Sequence, residues 1–257
     1  ELEQDIKFAQ RNLLPIKNGD FFGAMNYEGE LILEANYDYL GFFNEGLAVA
    51  VRNGRYGFID KGNNVVIDFL YDEAFDFEGG RVIVSLNDKL GVIDRTGKAL
   101  LPIEFEDIGG FSDCLTYALK DSLYGYFDKS GSLRIEEKFE EAFSFSDGMA
   151  KVQIDGKQAF IDLYGAFIVD PIYEKIRFFS DSLIVYSEEG KFGIADLSLC
   201  PIDSIQYDLI GELNEGLAIV SSDRKVGYID TSGMLVVEVK YEEFPNFMER
   251  GAFKASM

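Results

Sequence analysis

The heptapeptide Gly54-Arg55-Tyr56-Gly57-Phe58-Ile59-Asp60 returns down the chain as DKLGVID at 88–94, SLYGYFD at 122–128, GKFGIAD at 190–196 and RKVGYID at 224–230. Each copy places a small residue before two apolar residues and an Asp. With that small residue as the origin, Gly23, Gly57, Gly91, Gly125, Ala159, Gly193 and Gly227 stand 34 residues apart, and no insertion or deletion interrupts the spacing. Self-similarity at a fixed period of this size is the signature of a tandem-repeat architecture.

Four more columns keep the same register. Three residues past the origin come Asn26, Asp60, Asp94, Asp128, Asp162, Asp196 and Asp230. Six past it come Gly29, Asn63, Gly97, Gly131, Gly165, Leu199 and Gly233. Fourteen past it stand Tyr37, Tyr71, Phe105, Phe139, Tyr173, Tyr207 and Tyr241, each followed by an acid: Asp38, Asp72, Glu106, Glu140, Glu174, Asp208 and Glu242. Twenty past it come Phe43, Phe77, Phe111, Phe145, Phe179, Leu213 and Phe247.

Within one repeat, Leu47 to Val51 is a β-prone run closed by Asn53-Gly54, a dipeptide suited to the positive φ angles of a two-residue hairpin. Tyr56 to Asp60 is then the returning strand, Lys61 to Asn64 a turn, and Val65 to Ile67 a third strand. Tyr71 to Phe77 reads as an aromatic connection to the next repeat. Each repeat is therefore expected to be a three-stranded antiparallel meander. In the middle strand, neighbouring positions that point to opposite faces are both apolar, as at Tyr124, Tyr126 and Phe127. A lone meander cannot cover both faces, so consecutive repeats must stack. The glycine origin suits such stacking, because a residue without Cβ admits close approach by backbone or an aromatic ring.

The succession apolar-Gly-aromatic-Ile-Asp, turn Gly, Tyr-Asp/Glu, then Phe-x-Asp/Glu-Gly-Leu-Ala resembles the WG (KWG) repeats of bacterial proteins, over roughly residues 14 to 257. The Trp of that motif is missing. Its positions hold Phe22, Tyr56, Leu90, Tyr124, Gln158, Phe192 and Val226, so this is a diverged array, weakest at Gln158-Ala159. The resemblance implies a β-repeat scaffold or binding module and no catalytic residue.

Two all-β architectures satisfy the stacking. Repeats counted from the first strand run 43–76, 77–110, 111–144, 145–178, 179–212 and 213–246. A seventh could be assembled from Ala252-Phe253-Lys254 together with Phe21–Asn26 and Leu31–Leu33, closing a seven-bladed propeller-like ring. Alternatively Leu14-Pro15-Ile16 completes the first repeat and the array is an open β superhelix. Residues 1–13 form an N-terminal extension in this reading, with Leu2 to Leu14 suited to a short helix, and 14–257 form one repeat domain.

Composition narrows the chemistry. Among 257 residues, 24 basic and 46 acidic side chains give a net charge of −22, which repels phosphate backbones and argues against a nucleic-acid partner. No histidine is present, which removes Ser-His-Asp and Cys-His nucleophiles and His-based zinc sites. No apolar run is long enough to span a bilayer. Cys114 and Cys200 are too few for a disulfide framework and are expected to be isolated buried thiols. They fit a cytoplasmic, periplasmic or exported protein equally well.

Several residues tempt a sharper reading. Asp60-Lys61-Gly62-Asn63 and its equivalents look superficially like calcium loops, yet each supplies a single acid where calcium needs six to eight oxygens. An Asx turn is the simpler expectation, and no metal or cofactor site is assigned. The acids after Tyr or Phe would line up as a stripe attractive to cations, or would cap turns. A third acidic column holds Glu45, Asp113, Asp147, Asp181, Glu215 and Glu249. Carboxylates off the columns, Glu34, Glu104, Glu136, Glu137, Asp155, Glu188 and Glu189, are candidates for glycosidase-like acid catalysis. The stretches around Gln158-Ala159 and Leu199-Cys200-Pro201 are where a site would break the repeat. The 23 Phe and 14 Tyr fall mostly on columns, so packing accounts for them ahead of sugar stacking. The sequence thus points to a non-catalytic binding or scaffolding module that presents an acidic surface to a protein or cationic partner. A carbohydrate-binding or carbohydrate-cleaving module is the alternative.

Overall fold

A computed structural model describes residues 13–202 and 207–242, and every regular element among them is a β-strand. The helix expected over Leu2 to Leu14, and Ala252-Phe253-Lys254, Phe247 and Glu249, lie outside the described residues, except that Leu13 is buried and Leu14 already belongs to a strand. The chain divides into two compact units, Glu1–Glu137 and Lys138–Met257, with the boundary inside the strand Leu133–Phe139.

Seven small antiparallel sheets follow one another along the chain. The first holds Leu14–Asn18, Phe21–Met25 and Leu31–Tyr37. The second holds Tyr39–Asn44, Leu47–Arg52, Arg55–Asp60 and Val65–Tyr71. Later sheets start at Glu73, Asp107, Glu141, Lys175 and Leu209, so the sheets keep the 34-residue step. The three-stranded meander is present in every sheet but the sixth, where Lys175–Ser180, Leu183–Glu188 and Lys191–Asp196 are the strands and the returning segment pairs through isolated bridges at Pro201 and Tyr207. Most sheets gain a short fourth strand ahead of the meander. What reads as a connection therefore begins the next sheet, four residues earlier than the expected boundaries. The cause lies in the acid column, where the chain turns and its N–H groups begin pairing with the next meander. The Asp72 N–H donates to the Ser85 carbonyl at 2.9 Å, Glu106 to Leu119 at 2.9 Å and Glu140 to Gln153 at 2.8 Å. The first sheet takes Leu14–Asn18 as its own first strand, registered with Phe21–Met25. Among the described residues, each of the seven sheets is thus built from contiguous sequence.

The glycine origin is explained by a bulge. Tyr56 lies opposite Tyr71 and Phe58 opposite Ile67, so Gly57 faces three residues of the returning strand. A Cβ on Gly57 would sit 2.8 Å from the Ile67 carbonyl oxygen. The backbone of the third strand arches over this column.

Each sheet has a leading face, formed by the residue at the origin, the one two past it and those seven and nine before it. Its trailing face is formed by residues one, ten and fourteen past the origin, the second of these lying outside the described residues in the sixth sheet. Packing joins the trailing face of one sheet to the leading face of the next. Ala24, Leu33 and Tyr37 cluster with Ala48, Ala50 and Ile59, and Phe58, Ile67 and Tyr71 cluster with Val82, Val84 and Ile93. The same pairing recurs where Val92, Leu101 and Phe105 meet Ala118 and Phe127, and where Phe160 and Val169 meet Ile184 and Ala195. It appears again where Ile194 and Tyr207 meet Ala218, Val220 and Ile229. Phe77 wedges into the second junction, its ring edge-on to Phe58 at 4.8 Å. Burying both faces of every inner sheet is the main stabilising term, about 1.5–3 kcal/mol for each large side chain fully removed from water.

Candidate functional site

The Asp column makes seven nearly identical turns. Asp60 Oδ1 accepts from the N–H of Gly62 at 2.9 Å and of Asn64 at 2.8 Å. Asp128 accepts from Ser130 at 2.8 Å and Ser132 at 3.1 Å, and Asp196 from Ser198 at 2.8 Å and Cys200 at 3.0 Å. Asn26 does the same with its amide oxygen, toward Glu28 at 3.0 Å and Glu30 at 2.9 Å. The expected Asx turn is therefore present, extended by a second bond to the residue four on. Hydrogen bonds from Asn64 to Asp60, from Thr96 to Asp94, from Ser130 to Asp128 and from Ser232 to Asp230 hold these carboxyls below the ordinary range. The turn closes through a residue at positive φ, which is why the column six past the origin favours Gly and Asn: Gly131 has φ 83°, Asn63 φ 66° and Leu199 φ 62°. Leu199 departs from that rule but packs against the core of the sixth sheet.

The second acid column lies at the opposite end of the sheets, where most of its carboxylates reach the hairpin turn of the sheet they lead into. Asp72 Oδ2 accepts from the Asn87 N–H at 2.7 Å, Glu140 Oε2 from Gly156 at 2.9 Å and Asp208 Oδ2 from Asp223 at 2.8 Å. In three of the five sheets with a base two residues before the origin, the same carboxylate takes it as an ion pair: Asp72 with Arg55, Glu106 with Lys89 and Asp208 with Lys191. Lys89 and Lys191 hold the carboxyls of Glu106 and Asp208 below the ordinary range. The expected stripe is thus a row of stitches between consecutive sheets. The basic column that supplies these pairs, Arg55, Lys89, Lys157, Lys191 and Lys225, stands two before the origin and is readable in the sequence from its spacing, with Phe21 in the first sheet. Leu123 occupies that column in the fourth sheet.

A third kind of staple uses Glu45, whose carboxylate accepts from the N–H groups of Gly79 and Gly80 at 2.7 and 2.8 Å. Glu45, Asp113, Asp147 and Glu215 share positive φ angles of 48–52° at their tight turns.

Carboxylates off the columns are dispersed. Glu34 lies exposed on the first sheet, and Glu104 on the third pairs with Lys120 at 2.7 Å. Glu136 and Glu137 are neighbours on one strand and so point to opposite faces. Asp155, Glu188 and Glu189 sit exposed at hairpin ends, Asp155 and Glu189 both with φ 51°. Among the described residues no three acids or cysteines are grouped to hold a metal ion. A depression of about 430 Å³ is lined by Ser222, Asp223, Lys225, Leu235, Glu238 and Val239.

The divergent stretches are repaired locally. Ala159 is fully buried, and Gln158, standing where the motif has Trp, accepts from the Ile176 N–H at 2.9 Å through Oε1. Arg177 donates to the carbonyls of Ile210 and Gly211 at 2.9 and 3.0 Å, tying the sixth sheet to the seventh. Burial lowers its guanidinium pKa. Both cysteines are exposed, contrary to expectation. Cys114 occupies a turn position with φ 69°, where Gly46, Gly148 and Gly216 stand in other repeats, and Cys200 closes an Asx turn. A tight turn at a sheet end faces water whatever residue fills it.

What remains at the hairpin ends is an acidic rim. In the second compact unit, beyond the stitching carboxylates, it carries Asp155, Glu188, Glu189 and Asp223; in the first, Asp88 and Asp121 are exposed at hairpin ends. Apolar side chains are exposed elsewhere, with Phe42 and Phe75 both 63% accessible and Tyr164 90% accessible.

A tandem array of small antiparallel sheets, locked by repeated turns and stitches, defines a β-repeat protein. The WG containing repeat model matches residues 22–56, 56–89, 91–113, 124–157, 160–192 and 227–255, and the chain belongs to that family. The longest stretch between matches is 193–226, which holds Leu199-Cys200-Pro201, whereas Gln158-Ala159 falls in a gap of two residues. No curated protein matches the chain. Among solved structures it is similar to a eukaryotic initiation factor (9% identity, 90% of this chain and 74% of that one, TM-score 0.44). It is also similar to Hsv2 of Kluyveromyces lactis (7%, 73% and 70%, TM-score 0.39) and to the C-terminal WD40 domain of Sif2 (11%, 77% and 70%, TM-score 0.33).

Proposed function

We propose that the chain is a non-catalytic binding module whose acidic hairpin rim takes a basic segment of a partner protein. The observation that supports this reading is the rim of the second compact unit: Asp155, Glu188, Glu189 and Asp223, exposed at the hairpin ends of successive sheets, in a chain of net charge −22. Regularly spaced carboxylates attract an extended cationic segment more strongly than a compact ligand, and the field steers its approach. The column carboxylates belong to the scaffold, and the turn acids are the groups left to a partner.

A direct test measures an arginine-rich peptide binding to the full chain across a salt series. Affinity is expected to fall steeply with added salt and to drop on reversing Asp155, Glu188 and Glu189 to Lys. Reversing Glu34 and Glu136, which lie off the rim, is the control. Equal losses from both sets would reduce the effect to bulk charge and remove the rim as a site. A second reading rests on Tyr164, whose ring stands in solvent near exposed Leu163 and Phe167. Binding in a glycan screen that Tyr164→Ala abolishes would assign the chain to carbohydrate.

A further inference from the structure

Each of the five junction clusters described above joins a trailing face to a leading face, and two faces among the described residues are left far more exposed than their equivalents. On the first sheet, the leading-face residues Leu14, Ile16 and Met25 are only half-buried. Their equivalents Ala48, Ala50 and Ile59 on the second sheet are 0% exposed, and Val82, Val84 and Ile93 on the third are at most 3% exposed. On the seventh sheet, the trailing-face residues Tyr228 and Val237 are half-buried and Tyr241 is 53% exposed. The same aromatic position is 0% exposed at Tyr37, 2% at Phe105 and 1% at Tyr207.

We propose that these faces are the two halves of an intermolecular contact, in which the trailing face of the seventh sheet receives the leading face of the first sheet of a second copy, head to tail. The contact continues an interface already used between sheets inside the chain, with aromatic and branched residues on the trailing side and smaller or aliphatic residues on the leading side. One chain carries each half once, so a second copy offers a surface of the kind that the junctions inside the chain already take. Such a contact is heterologous and extends into a row or a larger ring according to the rotation between copies. The charge of −22 on each copy opposes it, so association is weakest at low ionic strength and strengthens as salt screens the repulsion. This is the reverse of the salt response expected for a basic peptide on the hairpin rim, so the two proposals fail separately.

Sedimentation velocity on the full chain across a concentration series, at low and high salt, tests it. The expected result is a weight-average mass that rises with both concentration and salt, and that returns to one chain in Tyr241→Asp and in Ile16→Asp. Both changes lie on exposed or half-exposed faces, and unchanged thermal melts would show that the fold persists. A mass of one chain under all conditions overturns the proposal. A second measurement avoids dependence on those variants. In a Cys114→Ser, Cys200→Ser background, chains carrying Ile16→Cys are mixed with chains carrying Val237→Cys and treated with a short bismaleimide. A linked pair of chains is expected. If the chain carrying both cysteines links only to itself, at a yield independent of dilution, the two faces meet within one molecule and the second copy is excluded.

Discussion

Asp128 shows how one residue type comes to be fixed in a column. Its Oδ1 holds two backbone N–H groups and the Ser130 hydroxyl, while Oδ2 takes Arg134. Asn26 makes the two backbone bonds with an amide oxygen, so the turn needs an acceptor more than it needs a charge. Asp128→Asn is therefore expected to keep the turn and lose only the charge that Arg134 pairs with, a small destabilisation at neutral pH, whereas Asp128→Ala, which also orphans both N–H groups, should lower stability by about 1–2 kcal/mol in urea melts. Gly131 in the same turn is less forgiving. A Cβ there would lie 1.9 Å from the Leu100 carbonyl oxygen, at φ 83°, so Gly131→Ala should destabilise by more than about 1 kcal/mol. The turn chemistry was legible in the sequence because it is local. The exposure of Cys114 and Cys200 was not, because a cysteine's usual burial says nothing about a turn position that glycine normally fills.

At the scale of the element, the informative strand is the short one that opens most sheets. Two-residue strands such as Glu73–Ala74 carry no periodicity of their own, and their pairing is set by the N–H groups of the acid column, so the sequence showed three strands and the structure four. Phe77, at the end of that connection, seals the junction between the second and third sheets. Phe77→Ala is expected to cost about 3–5 kcal/mol, read as a shift in urea midpoint, because the wedge leaves a cavity between two rigid faces. Breaking a surface stitch should matter far less. Lys89→Ala removes an ion pair whose members are 41% and 40% exposed, and its effect is expected to stay within about 1 kcal/mol. Columns revealed which residues were structural. They did not reveal which end of a sheet each acid occupied, since that depends on where the connection turns.

For the whole molecule, pH combines two opposing effects. The carboxyls of Asp60, Asp94, Asp128 and Asp230 titrate lower in the folded state than in the unfolded chain. The folded state therefore binds fewer of these protons, and the stability they supply is complete above the ordinary carboxylate range near pH 4. It is lost as pH falls through the depressed folded values. Protonating exposed acids meanwhile relieves self-repulsion from a net charge of −22. Thermal melts should show a broad optimum on the mildly acidic side of neutrality and a steep loss below about pH 4. Replacing the four aspartates by Asn should shallow that acid limb.

The uniform 34-residue step carries a last consequence. Each inner sheet presents to its follower the surface its predecessor presented to it, so removing residues 73–106, one full period, would bring together two faces of matching kind. Such a shortened chain should unfold in a single cooperative transition, at a lower midpoint than its parent. Deletion of half a period would instead throw every column after the cut out of register and should yield no such transition. Gene-level loss or duplication of whole periods is then a nearly scarless route by which the array changes length.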